Sequence, residues 1–253
     1  MGILNVTPDS FSDGSHESVT NYELRITNMI KEGADIIDVG GESTGPGSKD
    51  VSLEEEMNRL KPVIDYIEKN KLTDKTIFSI DTYKAPVARY ALEHGFEMVN
   101  DVTALRGDAD MIDVLLEFEP FIVLMYSKDS TPRTSTEDLE YDDVIASIKV
   151  FLINQIVDLI DSGFPEDKII VDPGMGMFVS SDPKYSHEIL ERLPEFKLLG
   201  YPVLVGISRK SFLGGELGSR DKQSAELSFE ASQNGASIVR MHDVKRINKL
   251  LHI

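Results

Sequence analysis

Short apolar, β-branched runs alternate along this chain with longer stretches in which apolar residues recur every three or four positions. That alternation predicts repeated strand–helix units and a parallel sheet. The strand pattern falls on residues 2–5, 35–39, 77–81, 97–100, 121–126, 169–172, 203–208 and 237–240. Helical spacing is clearest over 53–70 and 144–160. Gly33, Gly95 and Gly235 each follow a helical stretch and precede a strand by one or two residues. A left-handed cap residue ends a helix at such a place, and the repetition says that one unit is being reused.

Each strand-like run contains or ends in a polar residue near its C-terminal end: Asn5, Asp38, Asp81, Asn100, Tyr126, Asp172, Ser208 and Arg240. In a closed parallel barrel all strands point the same way, so these side chains would gather on one rim, where barrel enzymes place their chemistry. Any one of them alone is ordinary strand-ending polarity; the full set is not. The segments that follow, 7–18, 42–49, 127–140, 173–183 and 208–220, are long and punctuated by Gly and Pro, as functional loops are. No linker or composition break divides the chain, and its 253 residues suit one α/β barrel. The expected architecture is therefore a single (β/α)8 TIM barrel over 1–253, with active-site loops at the C-terminal ends of the strands.

Composition narrows the chemistry. There is no cysteine, which removes disulfides, thiolate zinc sites and cysteine nucleophiles and fits a reducing cytoplasm. No apolar run approaches the roughly 20 residues of a membrane span, and no basic-then-apolar export signal opens the chain, so a soluble cytoplasmic protein is expected. The five histidines show no paired spacing that suggests a metal cage. A net charge of −18 argues against nucleic acid as a partner and repels anions at long range. Binding a phosphate then requires a local basic cluster.

Two groups supply candidate chemistry. Asp81, Asn100 and Asp172 would stand around the mouth with Lys210. Carboxylates accept from a row of N–H donors such as a pterin or guanine edge presents, and Lys or Asn donors satisfy its carbonyl. The plainer reading is that these groups cap loop amides, which does not explain the whole set together. The second group is basic: Arg209 and Lys210 after the seventh run, Arg240 and His242 at the eighth. That is the usual phosphate position in such barrels, where Arg240 offers a bidentate fork, His242 charge assistance, and a helix N-terminus its N–H groups. A capping or core role is the alternative for His242, and Lys245 and Arg246 read as a solvated helix face.

The segments GILNVTPDSFSDG at 2–14, IIDVGGEST at 36–44, SIDT at 79–82, ND at 100–101, DPGMG at 172–176, SRKSFLG at 208–214 and RMHDV at 240–244 resemble the dihydropteroate synthase family. They occur in order over essentially the whole chain; the first two and SRKS are close to diagnostic, while ND and SIDT are weak alone. The resemblance implies a transferase that condenses a pterin pyrophosphate with p-aminobenzoate. It implies that Asp81, Asn100, Asp172 and Lys210 hold the pterin, and that Asn5, Arg240 and His242 hold the pyrophosphate. Asn5 would also reach a Mg²⁺ cofactor, and Thr44, Ser208, Arg209 and Lys210 would border the p-aminobenzoate pocket. Loss of pyrophosphate to a ring-stabilised cation, then amine attack, would be served by Asp81, Asp172, Lys210, Arg240 and His242. The first two loops would close as lids, and two subunits would pair through the helical ring as a homodimer.

The chain departs from the family pattern at three places. Gly45 stands where the family carries Arg after Ser-Thr, Tyr126 where it carries His after the fifth strand, and Met177-Phe178-Val179 where it carries Phe-Gly-Lys. The last two changes resemble the sulfonamide-insensitive, plasmid-borne branch. Two rival readings are a methyltetrahydrofolate methyltransferase barrel, which needs no pyrophosphate site, and a pterin-binding protein that has lost catalysis.

Overall fold

The computed structural model describes residues 1–7, 18–45, 47–136, 139–214 and 217–252. Most of the first expected lid, and Pro46 of the second, lie outside the described residues. Among those described, eight strands alternate with eight α-helices: β1 Gly2–Asn5, α1 Ser18–Lys31, β2 Ile36–Gly40, α2 Leu53–Lys69, β3 Ile77–Asp81, α3 Ala85–Glu93, β4 Met98–Asp101, α4 Met111–Phe118, β5 Phe121–Met125, α5 Val144–Asp161, β6 Ile169–Asp172, α6 Pro183–Glu191, β7 Leu204–Val205, α7 Leu217–Gln233, β8 Ile238–Val239 and α8 Val244–Leu251.

Strands β1 to β6 form one parallel sheet in chain order, and β7 pairs with β8 in a short second one. Single parallel bridges join the two sheets on both sides, Val171 with Val203 and Gly2 with Met241. The Val171 N–H donates to the Pro202 carbonyl at 3.0 Å, and the Ile3 N–H donates to the Met241 carbonyl at 3.0 Å. These links close the ring, so the fold is the (β/α)8 barrel that the pattern predicts. The ladder is thin at β7 and β8 because polar and glycine positions follow at once: Gly206, then Ser208, then Arg209 with φ at 59°.

Strand parity sorts the side chains into two cores. Residues on one parity, including Ile36, Met98, Val123, Ile170 and Leu204, pack inside the ring as an apolar floor near the strands' N-terminal ends. The other parity, with Ile37, Val39, Phe78, Ile80, Val99, Ile122, Leu124 and Val171, meets the helices. Burial on both faces is why these strands read as near-continuous apolar runs. The helices carry their own start signals: Ser52, Asp143, Asp182 and Asp243 each accept a backbone N–H of the first turn, a contact worth about 1 kcal/mol apiece. Gly33, Gly95 and Gly235 have φ of 84°, 86° and 115°, the left-handed geometry expected of them.

The same parity that builds the floor decides which polar residues enter the ring. One step above the floor, the inward set runs Asn5, Asp38, Ser79, Asp81, Asn100, Asp172, Ser208 and Arg240. Tyr126 does not belong to it, which corrects the expectation from the strand ends. Val123 faces inward, so Tyr126 falls on the opposite parity, and its ring packs edge-on against Phe151 of α5 at 5.2 Å.

Candidate active site

The centre of the mouth is a buried ion cluster. Arg240, at the end of β8, donates from Nε to Asp38 Oδ2 and from Nη2 to Asp81 Oδ2, both at 2.6 Å. Asn100 donates from Nδ2 to the same Asp38 oxygen at 2.9 Å, which leaves its amide oxygen as an acceptor. Asp38 is fully buried, and its Oδ1 finds no partner among the described residues. Register explains the grouping: Asp81 pairs with Gly40 on one side and Asn100 on the other, so neighbouring strands deliver these groups at one level.

Across the mouth, Asp172 accepts the Gly174 N–H at 2.7 Å. Gly174 is obligatory, since its φ is 70° and an added Cβ would lie 2.4 Å from the Tyr126 carbonyl oxygen. Lys210 donates to the Met175 carbonyl at 2.9 Å and lies over the Phe178 ring at 4.9 Å. Burial pushes the Asp172 carboxyl up to about 6, with Lys210 and the Gly174 N–H opposing. Burial also pulls the Lys210 ammonium down to about 8, with Asp172 opposing. Burial raises Asp81 as well, against the pull of Arg240 and with the push of Asp38. Burial opposes the charge of Arg240, but Asp38 and Asp81 outweigh it and keep the guanidinium firmly protonated.

A cationic flank lies beside β7, β8 and β1. Arg25 of α1 donates to the carbonyls of Asn5 and Ile3 at 3.2 and 3.4 Å, and Arg209, Arg240 and Arg25 all act on His242. Ser208 Oγ and His242 Nδ1 are 2.9 Å apart. Burial first, and then Arg209 and Arg240, hold His242 down to about 3. Until an anion lies beside it, that environment favours the neutral imidazole, which hydrogen-bonds Ser208. Arg209 is committed in part, because Asp221 of α7 accepts from its Nε at 2.7 Å and Nη2 at 3.0 Å. Thr44, half-buried, lies on the loop after β2.

Asn5, Asp81, Asn100, Asp172, Ser208, Lys210, Arg240 and His242 thus share one rim. Asp38 and Arg25 join them without having been assigned a role. A charged residue inside the apolar run IIDVG was the available signal for Asp38. Arg25 sits on an ordinary amphipathic helix and gave none. Asp101 is structural: buried and raised by that burial, it accepts from the Thr103 and Leu105 N–H groups and shapes the loop after β4. The arrangement offers a row of acceptors and one ammonium to a flat heterocycle, and a cluster of cations to an anion beside it.

Residues 1–242 match the family model described as pterin binding enzyme. The chain is 43% identical over 252 residues to a dihydropteroate synthase of Streptococcus pyogenes serotype M3, covering 97% of this chain and 90% of that protein. The solved dihydropteroate synthase of Clostridium difficile, in the presence of pteroic acid, is 40% identical with a TM-score of 0.90, covering 100% of this chain and 93% of that one. The Xanthomonas albilineans dihydropteroate synthase with 4-aminobenzoic acid is 35% identical with a TM-score of 0.91, covering 100% and 90%.

Proposed function

The chain belongs to the dihydropteroate synthases, pterin-binding transferases of folate biosynthesis, and on that footing we propose how its barrel mouth condenses 6-hydroxymethyl-7,8-dihydropterin pyrophosphate with p-aminobenzoate. The observation that carries the assignment of roles is the arrangement of the mouth, with Asn100, Asp172 and Lys210 on one flank, Arg25 and His242 on the other, and the Arg240 pairs with Asp38 and Asp81 joining them.

The pterin lies on the acceptor flank. Asp172 and Asp81 accept from its N–H edge, and Lys210 donates to its carbonyl. The pyrophosphate takes the cationic flank. Arg240 spends two of its five N–H bonds on Asp38 and Asp81, so three remain for phosphate oxygens without breaking the internal pair. The carbon–oxygen bond to pyrophosphate breaks with its electron pair leaving on the anion, and the ring stabilises the methylene cation. The buried carboxylates favour that cation, and Arg240 favours the departing anion. The neutral aniline nitrogen of p-aminobenzoate then forms the new carbon–nitrogen bond, and the anilinium proton passes to water or to the departed pyrophosphate. No strong base is needed, because an aniline nitrogen is already a neutral nucleophile. Thr44, Ser208, Arg209 and Lys210 border this second substrate.

Mg²⁺ fits the donors present. Asn5 offers one hard amide oxygen at the end of β1, and Mg²⁺ commonly takes one or two protein oxygens together with substrate phosphates and water. When bound, it would neutralise charge on the leaving pyrophosphate. Arg25, held against the Asn5 carbonyl, opposes a lone cation there, so the ion would bind together with pyrophosphate. A homodimer in the cytoplasm completes the reading; among the described residues no helix is long and apolar enough to cross a membrane.

Pyrophosphate release measured with and without p-aminobenzoate tests the assignment. Release that depends on the amine supports it. Pterin binding without release means a binding protein, and an absence of any pterin binding overturns these roles.

A further inference from the structure

The loop between β5 and α5, residues 126–143, is fastened to two other loops of the mouth. Toward the loop after β6 it holds three consecutive carbonyls. The Lys128 N–H donates to Phe178 O at 2.8 Å, Thr134 Oγ donates to Met177 O at 2.6 Å, and Tyr141 Oη donates to Val179 O at 2.7 Å. Toward the loop after β2 it sends Arg133. That guanidinium pairs with the Glu42 and Asp50 carboxylates and donates from Nη2 to the Lys49 carbonyl at 3.0 Å. The adjacent residues Arg133 and Thr134 therefore tie together two loops that begin at strands β2 and β6.

Glu42 is not a casual surface partner. It is buried, and its other oxygen accepts Lys84 Nζ at 2.5 Å; the same ammonium reaches Glu56 Oε2 at 2.5 Å and the Val51 carbonyl at 2.8 Å. The two buried carboxylates, Lys84 and Arg133 form a charge-balanced quartet, which the exposed Asp50 joins from outside. Removal of Arg133 leaves two buried carboxylates on one ammonium. The quartet clamps segment 42–51 at both ends, and Thr44 and Gly45 lie between the clamps. On the other side, the loop after β6 supplies the Met175 carbonyl that anchors Lys210.

We propose that Arg133 is a positioning residue for the second substrate: it straps the loops after β2 and β6 together and so sets the affinity for p-aminobenzoate. This rests on the functional reading above. Asp81, Asn100 and Asp172, the pterin acceptors, stand on strands, where the sheet fixes them, whereas Thr44 stands in the strapped loop after β2 and Lys210, which serves both substrates, is anchored on the loop after β6. Arg133 contacts none of Asp81, Asn100 or Asp172. An arginine suits the task because a planar fork spans two carboxylates and a carbonyl, whereas lysine supplies a single ammonium.

Steady-state kinetics for both substrates, with hydrogen exchange over 42–51, test this in the full chain. Arg133→Ala should raise KM for p-aminobenzoate about tenfold or more, leave kcat within about threefold, and weaken the affinity for pterin pyrophosphate by a clearly smaller factor, through Lys210 alone. Exchange over 42–51 should rise, and Arg133→Lys should recover part of both losses. Thr134→Val, which frees Met177 without touching the ion quartet, should raise the same KM by a smaller factor. An unchanged KM, an equal rise for both substrates, a loss confined to kcat, or a lysine variant no better than alanine would overturn the proposal. Unaltered exchange over 42–51 overturns the strap in an active or an inactive protein. A wild-type chain that releases no pyrophosphate refutes the functional reading instead. If Arg133→Ala does not fold, Thr134→Val and Arg133→Lys carry the test.

Discussion

Arg240→Met is the sharpest test of how the mouth is held together. The substitution keeps the length of an unbranched chain and removes the one cation that satisfies both Asp38 and Asp81, each at 2.6 Å. Asp38 has no exposure to water with which to recover, and one of its oxygens already has no partner among the described residues. Breaking a buried pair by deleting one member costs about 3–5 kcal/mol, mostly as the desolvation of the group left behind. With a urea m value of about 3 kcal/mol/M for a chain this size, the midpoint should fall by roughly 1–1.7 M at pH 7.5. The sign of the pH dependence follows from Asp81. Its folded carboxyl is already raised by burial, and losing Arg240 raises it further. A raised acid favours the folded state below its folded pKa, so the deficit must shrink as pH falls toward 5. Arg240→Met/Asp81→Asn should likewise regain part of the loss, because one uncompensated charge has gone. The measurement is urea unfolding at both pH values. A fall of less than about 0.3 M at pH 7.5, or an equal deficit at pH 5, would show that the two carboxylates do not depend on Arg240.

Asp172→Asn keeps the size of the side chain and its acceptor for the Gly174 N–H. Calorimetry should show pterin affinity falling about 10- to 100-fold, with thermal stability nearly unchanged; unfolding instead would make Asp172 a structural residue. Gly45→Arg meets no obstacle, its nearest neighbour being Ser43 Oγ at 3.8 Å from an added Cβ. It should lower KM by about tenfold for at least one substrate, and no change would mean that this loop touches neither. Lys210 has a folded pKa near 8 against an ordinary 10.5, so the folded state holds fewer protons between those values and its stability should rise with pH there. Lys210→Met should remove that rise in denaturant titrations at pH 8 and 9.5; an identical slope in both proteins refutes it.

The barrel was legible because its signal is repeated. Units that each give a buried strand and an amphipathic helix agree on one architecture, even where a single boundary slips by a residue. Runs 2–5, 77–81 and 169–172 match the strands observed, whereas 203–208 shortens to Leu204–Val205. Hydropathy reports burial, and Ile207 is buried without being laddered. The site was legible as far as strand parity carries it. Counting by two from Ile77 reaches Asp81 and from Ile170 reaches Asp172, both inward. The same count from Val123 passes Tyr126 by, and position at a strand end was the wrong guide there. Contacts made between loops leave no periodic trace. Glu42 meets Arg133 across 91 residues, and neither residue's surroundings in sequence point to the other. Nor did the sequence show how far the pKa of His242 is held down. That follows from three arginines converging on it together with its burial, and Arg25, Arg209 and Arg240 are brought together only when the ring closes. The strands thus place the pterin acceptors from local rules, while the cationic flank exists only after β8 has met β1 and the strap only after the loops of β2, β5 and β6 have met. The mouth should accordingly fail in two separable ways: acceptor variants on the strands lose pterin first, and strap variants lose the amine first.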